Sequence, residues 1–315
     1  MEYYGKDLSR RKLLIRGSSL IAGAIAAGIP TRLLAEELVR LDVASAGSIR
    51  SIMEGPIKTS IAQTLKLDLH SHAQGADAVA QSIVSGSLRA DVFIPITPGP
   101  MFTVMRAGIA EVAQPIARTE MVIVYSPKSR FAPQFQAAAN GKANWWEILQ
   151  EPGLRFARSH PAGDPGGRNI IFVMMLAAKK YKQPNLVEKV LGPTLNPEQI
   201  LPGGNNQARL QSGELDATAS YKVGPGPANL PYIVLPGDIN LSGQNVHAEH
   251  SDVSLTLDGK TYFPEPLVYY AAVLKDAANA KGAAAFLEWL QGDEAQVLFR
   301  RDQYDPPGNA TALRA

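Results

Sequence analysis

Ala90-Asp91-Val92-Phe93-Ile94-Pro95-Ile96 decides the fold. The stretch is short and nearly all apolar, the pattern of a strand buried on both faces. Two β-type runs precede it, Leu38-Val39-Arg40-Leu41-Asp42-Val43-Ala44 and Leu67–His72. Between those two, Ile49, Ile52, Met53, Ile57, Ile61 and Leu65 recur at helical spacing, interrupted by Gly55-Pro56. Gln74-Gly75-Ala76-Asp77 opens a second helix that runs through Val79, Ile83 and Val84. The order β-α-β-α-β predicts a parallel sheet with right-handed crossovers, and hence an α/β fold.

Further along, Met121–Tyr125, Ala217–Val223, Tyr232–Leu235 and Pro266–Leu274 read as strands. Asn144 followed by Glu147 has the spacing of a capping box for a helix over 145–150. An apolar helix spans Asn169 to Tyr181, and an amphipathic helical region spans Ala277 to Arg301, broken near Gly292-Asp293. Residues 192–207 read as loop, and 237–261 carry no clear pattern.

The chain has 315 residues, 45% of them hydrophobic, enough for two domains. It has no cysteine, which excludes disulfides, thiolate metal sites and a cysteine nucleophile. The net charge of +2 is uneven: residues 1–35 hold six Lys/Arg against two acids, leaving the rest at −2. A near-neutral body argues against a nucleic-acid partner. Ser9-Arg10-Arg11-Lys12-Leu13-Leu14 followed by the apolar run Leu20–Ile29 is a twin-arginine-type export signal, so residues 1–35 are excluded from the fold.

Two loops carry the chemistry. Ser159-His160-Pro161-Ala162-Gly163-Asp164-Pro165-Gly166-Gly167-Arg168-Asn169 is turn-rich and opens a helix. Its glycines let backbone approach a ligand, and its N–H groups and Arg168 can address an anion. Gln211-Ser212-Gly213-Glu214-Leu215-Asp216 lies about 50 residues on. Ser48, Gly75, Ala76 and Asp77 sit at predicted helix starts, where N–H groups and the dipole favour anions. Ser48 equally suits a helix cap, Asp164 an ordinary turn, Glu214 a solvated loop and Tyr221 core packing. His70/His72 and His247/His250 each lack an evident third metal ligand. Tyr269 and Tyr270 alternate across a strand, as packing residues do.

In combination the chain resembles the class II periplasmic solute-binding proteins of ABC transporters, and within them the archaeal-type molybdate/tungstate branch. The likeness rests on Ala46-Gly47-Ser48, Ala90-Asp91-Val92, Trp146–Pro152 with Arg155-Phe156, Asp164-Pro165-Gly166-Gly167, Ser212–Asp216 and Tyr221-Lys222, with a closing helix at 280–298. It implies two α/β lobes with a hinge and a ligand cleft: lobe I from residues 36–122 plus 268–315, and lobe II from 123–267. It implies an oxyanion ligand held by Ser48, Ala76, Asp164, Glu214 and Tyr221, with Asp164 and Glu214 completing the coordination of Mo(VI) or W(VI), hard centres that accept oxygen donors. The chain departs from that pattern at Ala76, where the family often has serine, and at Gly166-Gly167-Arg168-Asn169. The implied partners are a permease and its ATPase subunit, the receptor itself being a monomer with no cofactor and no catalysis. Two alternatives stay open: the same fold holding sulfate, phosphate or an organic anion, and an exported enzyme using Asp164 and Glu214 as an acid/base pair.

Overall fold

In chain order the strands are β1 (Val39–Ala46), β2 (Leu67–Gln74), β3 (Val92–Ile94), β4 (Val112–Arg118), β5 (Met121–Tyr125) and β6 (Phe156–Ala157). They continue as β7 (Ala217–Tyr221), β8 (Tyr232–Val234), β9 (Leu255–Leu257), β10 (Lys260–Tyr262), β11 (Val268–Val273) and β12 (Leu313–Arg314). The structure is a computed structural model that describes residues 37–201 and 206–315. The export signal read at residues 1–35 lies outside them.

Two main sheets organise the chain. The first has the order β12-β4-β11-β3-β1-β2, and the second β6-β7-β5-β8; β9 and β10 form a separate hairpin. β1 runs parallel to both β2 and β3, as the β-α-β-α-β pattern requires. β11 is antiparallel to β3 and β4, so the returning chain completes the sheet that the first three strands began. The chain passes from the first sheet to the second between Arg118 and Met121, leaves the second after Val234, and rejoins the first at Val268 by way of the β9–β10 hairpin. The first sheet is covered by two clusters, one around Leu41, Ile52 and Phe286 and the other around Phe93, Val104 and Tyr270. A third cluster, around Ile123, Trp146 and Phe172, fills the second lobe.

The apolar run that announced β3 pairs over only three residues. Pro95 has no N–H and ends the ladder, although its carbonyl still accepts from Tyr270 N–H at 3.2 Å. β4 gave no strand pattern because Pro115 interrupts it. The ladder absorbs that proline by a bulge: Tyr269 pairs with Ala117 and Tyr270 with Pro115, leaving Ile116 as the extra residue. The helix after β1 is kinked at Gly55-Pro56, where Gly55 leaves helical geometry (φ −102°, ψ −107°). The capping box expected at Asn144 is absent: its side chain makes no cap bond, and the one-turn helix Trp145–Ile148 is held instead by burial of Trp145, Trp146 and Ile148. The unpatterned segment 237–261 holds the short helix Val246–Glu249 and the β9–β10 hairpin.

Asp91 is a structural carboxylate. It is 2% exposed and accepts from the N–H groups of Asp42 and Asn279, each at 2.8 Å. Asn279 in turn caps the helix Ala280–Gln291 by accepting from Gly282 N–H at 2.9 Å. One side chain therefore ties β1 to the closing helix. Replacing Asp91 by Ala leaves two N–H groups without acceptors, each costing about 1–3 kcal/mol. Urea unfolding of Asp91→Ala should show a loss of about 3 kcal/mol; an unchanged midpoint would contradict this role.

Candidate functional site

β1 and β2 end in register, Ala46 opposite Gln74. Each is followed at once by a helical start, Gly47–Ile49 after β1 and Ala76–Val84 after β2. Two sets of unpaired helix-start N–H groups therefore lie side by side at the carboxyl edge of the sheet, where open α/β sheets bind ligands. From the other lobe, the loop at Asp164–Gly166 and the end of β7 face them. The space between is a cavity of about 640 Å³ whose walls include Ser48, Ala76, Asp164, Gly166, Ser220 and Tyr221.

Ser48 sits in this wall with its hydroxyl already oriented. Tyr269 O–H donates to Ser48 Oγ at 2.9 Å, and Tyr304 O–H donates to the Ser48 carbonyl at 3.1 Å. Because Ser48 Oγ accepts from Tyr269, its own proton is free to be given to a ligand. Ser48 lies inside the turn Gly47–Ile49 and not at its cap position, which is Ala46. Burial raises the Tyr269 phenol well above its ordinary range, so it stays a donor.

Ala76 is 1% exposed and presents backbone rather than side chain. Gly75 before it makes a close approach to the opposite lobe: a Cβ there would stand 2.4 Å from the Gly163 carbonyl oxygen. Asp77 does not add charge to the cavity. Its carboxylate is bound by Arg168 at 2.5 Å, on a guanidinium that is itself 5% exposed. Arg168 therefore faces a carboxylate and the Pro161 carbonyl (2.8 Å), not the cavity.

Asp164 caps the helix Pro165–Lys180, accepting from Gly166 N–H at 2.9 Å with Pro165 in the first turn. Desolvation pushes its carboxyl above the usual range, against the lowering effects of the Gly166 N–H, Ser159 and Arg168. The helix can lie this close under the loop only because residue 167 is glycine; a Cβ there would come 2.4 Å from the Ser159 carbonyl oxygen. Tyr221 Oη accepts from Asn169 Nδ2 at 3.1 Å, which leaves the phenol proton to donate. Burial, and secondly the Asp164 charge, raise Tyr221 well above its ordinary range.

Glu214 stands apart. Its side chain is 58% exposed and pairs with Arg209 at 3.2 Å, and it is not part of the cavity wall. It lies before the strand that supplies this part of the wall. Along the β5–β7 ladder the cavity wall takes Thr218 through Tyr221, and Ala217 pairs with Tyr125 at the end of the ladder. Glu214 precedes even that end, roughly 20 Å along an extended chain from Tyr221. Asp216, the other acid of this loop, is 2% exposed and is consumed by Arg155 and Ser129. The expected pair of carboxylates is thus not assembled: Asp164 is in the wall and Glu214 is outside it.

The wall contains residues that the sequence did not single out. Arg50 lies there, two positions after Ser48, and donates to the Ala73 carbonyl. Asn206, Gln207, Thr218 and Ser220 add polar groups from the second lobe. Arg50 was legible as a cation next to a helix-start serine. Tyr269 and Tyr304 were not, being 221 and 256 residues from the serine they address.

Comparison with known proteins agrees with this architecture. Residues 41–304 match the family described as bacterial extracellular solute-binding protein. The molybdate/tungstate-binding protein WtpA of Pyrococcus abyssi is 33% identical over 210 residues, a stretch covering 60% of each chain. WtpA of Thermococcus kodakarensis is also 33% identical over 210 residues, covering 60% of this chain and 58% of that one. The chain thus spans about three fifths of the length of these relatives. Among solved structures, the periplasmic molybdate-binding protein of Azotobacter vinelandii superposes with a TM-score of 0.59 over 84% of this chain and 98% of that one, at 16% identity, a likeness of fold. With two α/β lobes flanking one polar cavity and a family match across nearly all described residues, the chain belongs to the bacterial extracellular solute-binding proteins.

Proposed function

We propose that this chain is the extracytoplasmic receptor of an ABC transporter and that it captures molybdate or tungstate for a permease driven by a separate ATPase subunit. The observation that carries this reading is the convergence of donors from both lobes on one cavity. Ser48 and the Ala76 helix start face Asp164, Gly166 and Tyr221. Two hydroxyl protons are left free by their own hydrogen bonds, Ser48 through Tyr269 and Tyr221 through Asn169. Helix starts supply N–H groups that cannot lose their charge complementarity to an anion. The two WtpA relatives support the choice of anion.

Asp164 needs its own account. A carboxylate about 4 Å from a dianion would be repelled by several kcal/mol at the effective dielectric of a protein site. Direct donation of a carboxylate oxygen to Mo(VI) or W(VI) turns that repulsion into a bond, and sulfate sulfur cannot accept it. In this reading Asp164 is the one acidic ligand and Glu214 takes no part. The receptor performs no catalytic step, carries its ligand rather than a cofactor, acts as a monomer and binds no nucleic acid. The twin-arginine pattern supports export to the periplasm or beyond the membrane.

The cavity volume favours a second reading. About 640 Å³ lies in the range that encloses drug-sized ligands and exceeds the needs of a single tetrahedral ion. Asn206, Gln207 and Thr218 would then address the organic part of a larger anion, such as an organic phosphate.

Titration calorimetry with molybdate, tungstate, sulfate and a sugar phosphate separates these readings. Submicromolar binding of molybdate or tungstate, with sulfate at least tenfold weaker, is expected. Tight binding of the sugar phosphate alone would transfer the site to the second reading. Asp164→Asn keeps a good helix cap and should bind molybdate at least tenfold more weakly, losing less toward sulfate. Ser48→Ala removes a hydrogen bond to a charged group and should weaken either anion about tenfold or more. Glu214→Gln should bind as the parent does; loss of binding there would overturn the single-carboxylate site.

A further inference from the structure

One buried ion pair crosses between the lobes without belonging to the cavity. Arg168 lies in the first turns of the helix Pro165–Lys180, and Asp77 in the first turn of the helix Ala76–Val84 on the opposite lobe. Their side chains are 5% and 16% exposed, and Nη2 meets Oδ2 at 2.5 Å. The same guanidinium donates through Nη1 to the Pro161 carbonyl at 2.8 Å and lies 4.2 Å from the Tyr262 ring centre. Pro161 belongs to the loop that leads to Asp164, and Tyr262 ends β10. Asp77 and Arg168 also line a second cavity of about 420 Å³, which shares no wall residue with the first. Glu265, the other carboxylate in that wall, is bound to the Gly99 N–H at the start of the helix Pro98–Arg106. Among the described residues, Asp77 is the acid in direct contact with this guanidinium.

We propose that Arg168 and Asp77 are an interlobe latch: a positioning pair that does not touch the ligand but sets how readily the two lobes close, and through closure sets affinity. A side chain serving only its own loop would need Pro161 and no partner across the cleft. The backbone makes the contact steep. Gly75 precedes the helix that carries Asp77, Gly163 precedes Asp164, and a Cβ at residue 75 would stand 2.4 Å from the Gly163 oxygen. Arg168 meets Asp77 beside the point where these two backbones touch, so parting the lobes there would part the pair. When the lobes part, both charges return to water, which limits the net gain from the pair. Losing one partner is a different matter, because closure must then bury an uncompensated charge.

If the pair raises the closed population about tenfold, removing it raises the apparent Kd about tenfold without altering any ligand contact. The affinity arm rests on the receptor reading; the shape arm does not. Small-angle scattering of the ligand-free protein should give a larger radius of gyration for Asp77→Asn and for Arg168→Gln than for the parent. Gly75→Ala, which keeps both charges and wedges the backbones apart, should do the same. Saturating molybdate should bring the charge variants back to the parent value, with a Kd about tenfold weaker and faster release. The double variant should be no worse than either single one, since both remove the same bond. Circular dichroism melts check folding, and Asp77→Asn carries the test if Arg168→Gln fails to fold. An unchanged ligand-free radius in Asp77→Asn, or additive losses in the double variant, would overturn the latch. Failure of the parent to bind molybdate would count against the ligand alone and leave the scattering comparison to decide.

Discussion

The parallel pairing of β1 with β2 is the constraint on which the site depends. It fixes Ala46 opposite Gln74, so the chain must turn into two helical segments at the same edge and at the same depth. Nothing in either turn specifies an anion on its own. Their juxtaposition favours one, because helix starts leave N–H groups without intrahelical partners and both starts line one cavity. A one-residue slip between these strands would move Ser48 away from Tyr269 and expose the apolar faces that the cores require.

The second lobe contributes the opposite wall by different means. There the sheet is mainly antiparallel, and its cavity end is defined by Met121 opposite Tyr221. Tyr221 packs against the cores of both lobes, so the ring that carries a donor also belongs to the seam. Asn169 holds its hydroxyl from the helix that Asp164 caps. Donor orientation, helix capping and lobe packing are thus carried by the same few side chains. Substitutions here report on all three unless capping is preserved, as asparagine at position 164 preserves it.

How much could be read in advance followed the range of each interaction. β1, β2, β5, β7 and β11 were legible because apolar runs and turn residues are local signals. β4 was not, because Pro115 argues against a strand until its bulged partner, more than 150 residues away, is known. Ser48 and Ala76 were read from helix starts, whereas Asp164 and Tyr221 were implied by the resemblance; all four line the cavity. Glu214 was expected there from the resemblance, and it precedes β7, exposed and paired with Arg209. Asp77 was read as a helix start, and its charge is neutralised by a buried arginine from the other lobe that no local pattern announces. Residue type spoke for the chemistry available at each point, but only the ladder registers said which points meet.

Under the proposed function, ligand capture and lobe closure form a single equilibrium, because the donors are divided between lobes. An anion held by Ser48 and the Ala76 helix start alone would meet only half of its hydrogen bonds and remain exposed to water. Bringing up Gly166, Tyr221 and Asp164 removes that water, strengthens every charge-assisted bond in the cavity and at the same stroke raises the cost of any negative charge left unpaired there. Asp77 and Asp164 answer that cost in different ways. Asp77 is turned out of the cavity and given a guanidinium; Asp164 stays in the wall with its carboxyl pushed up by burial. A carboxylate kept where closure penalises it most needs either a proton or an electron-pair acceptor, and under the proposed function that acceptor is the hexavalent centre of a molybdenum or tungsten oxyanion.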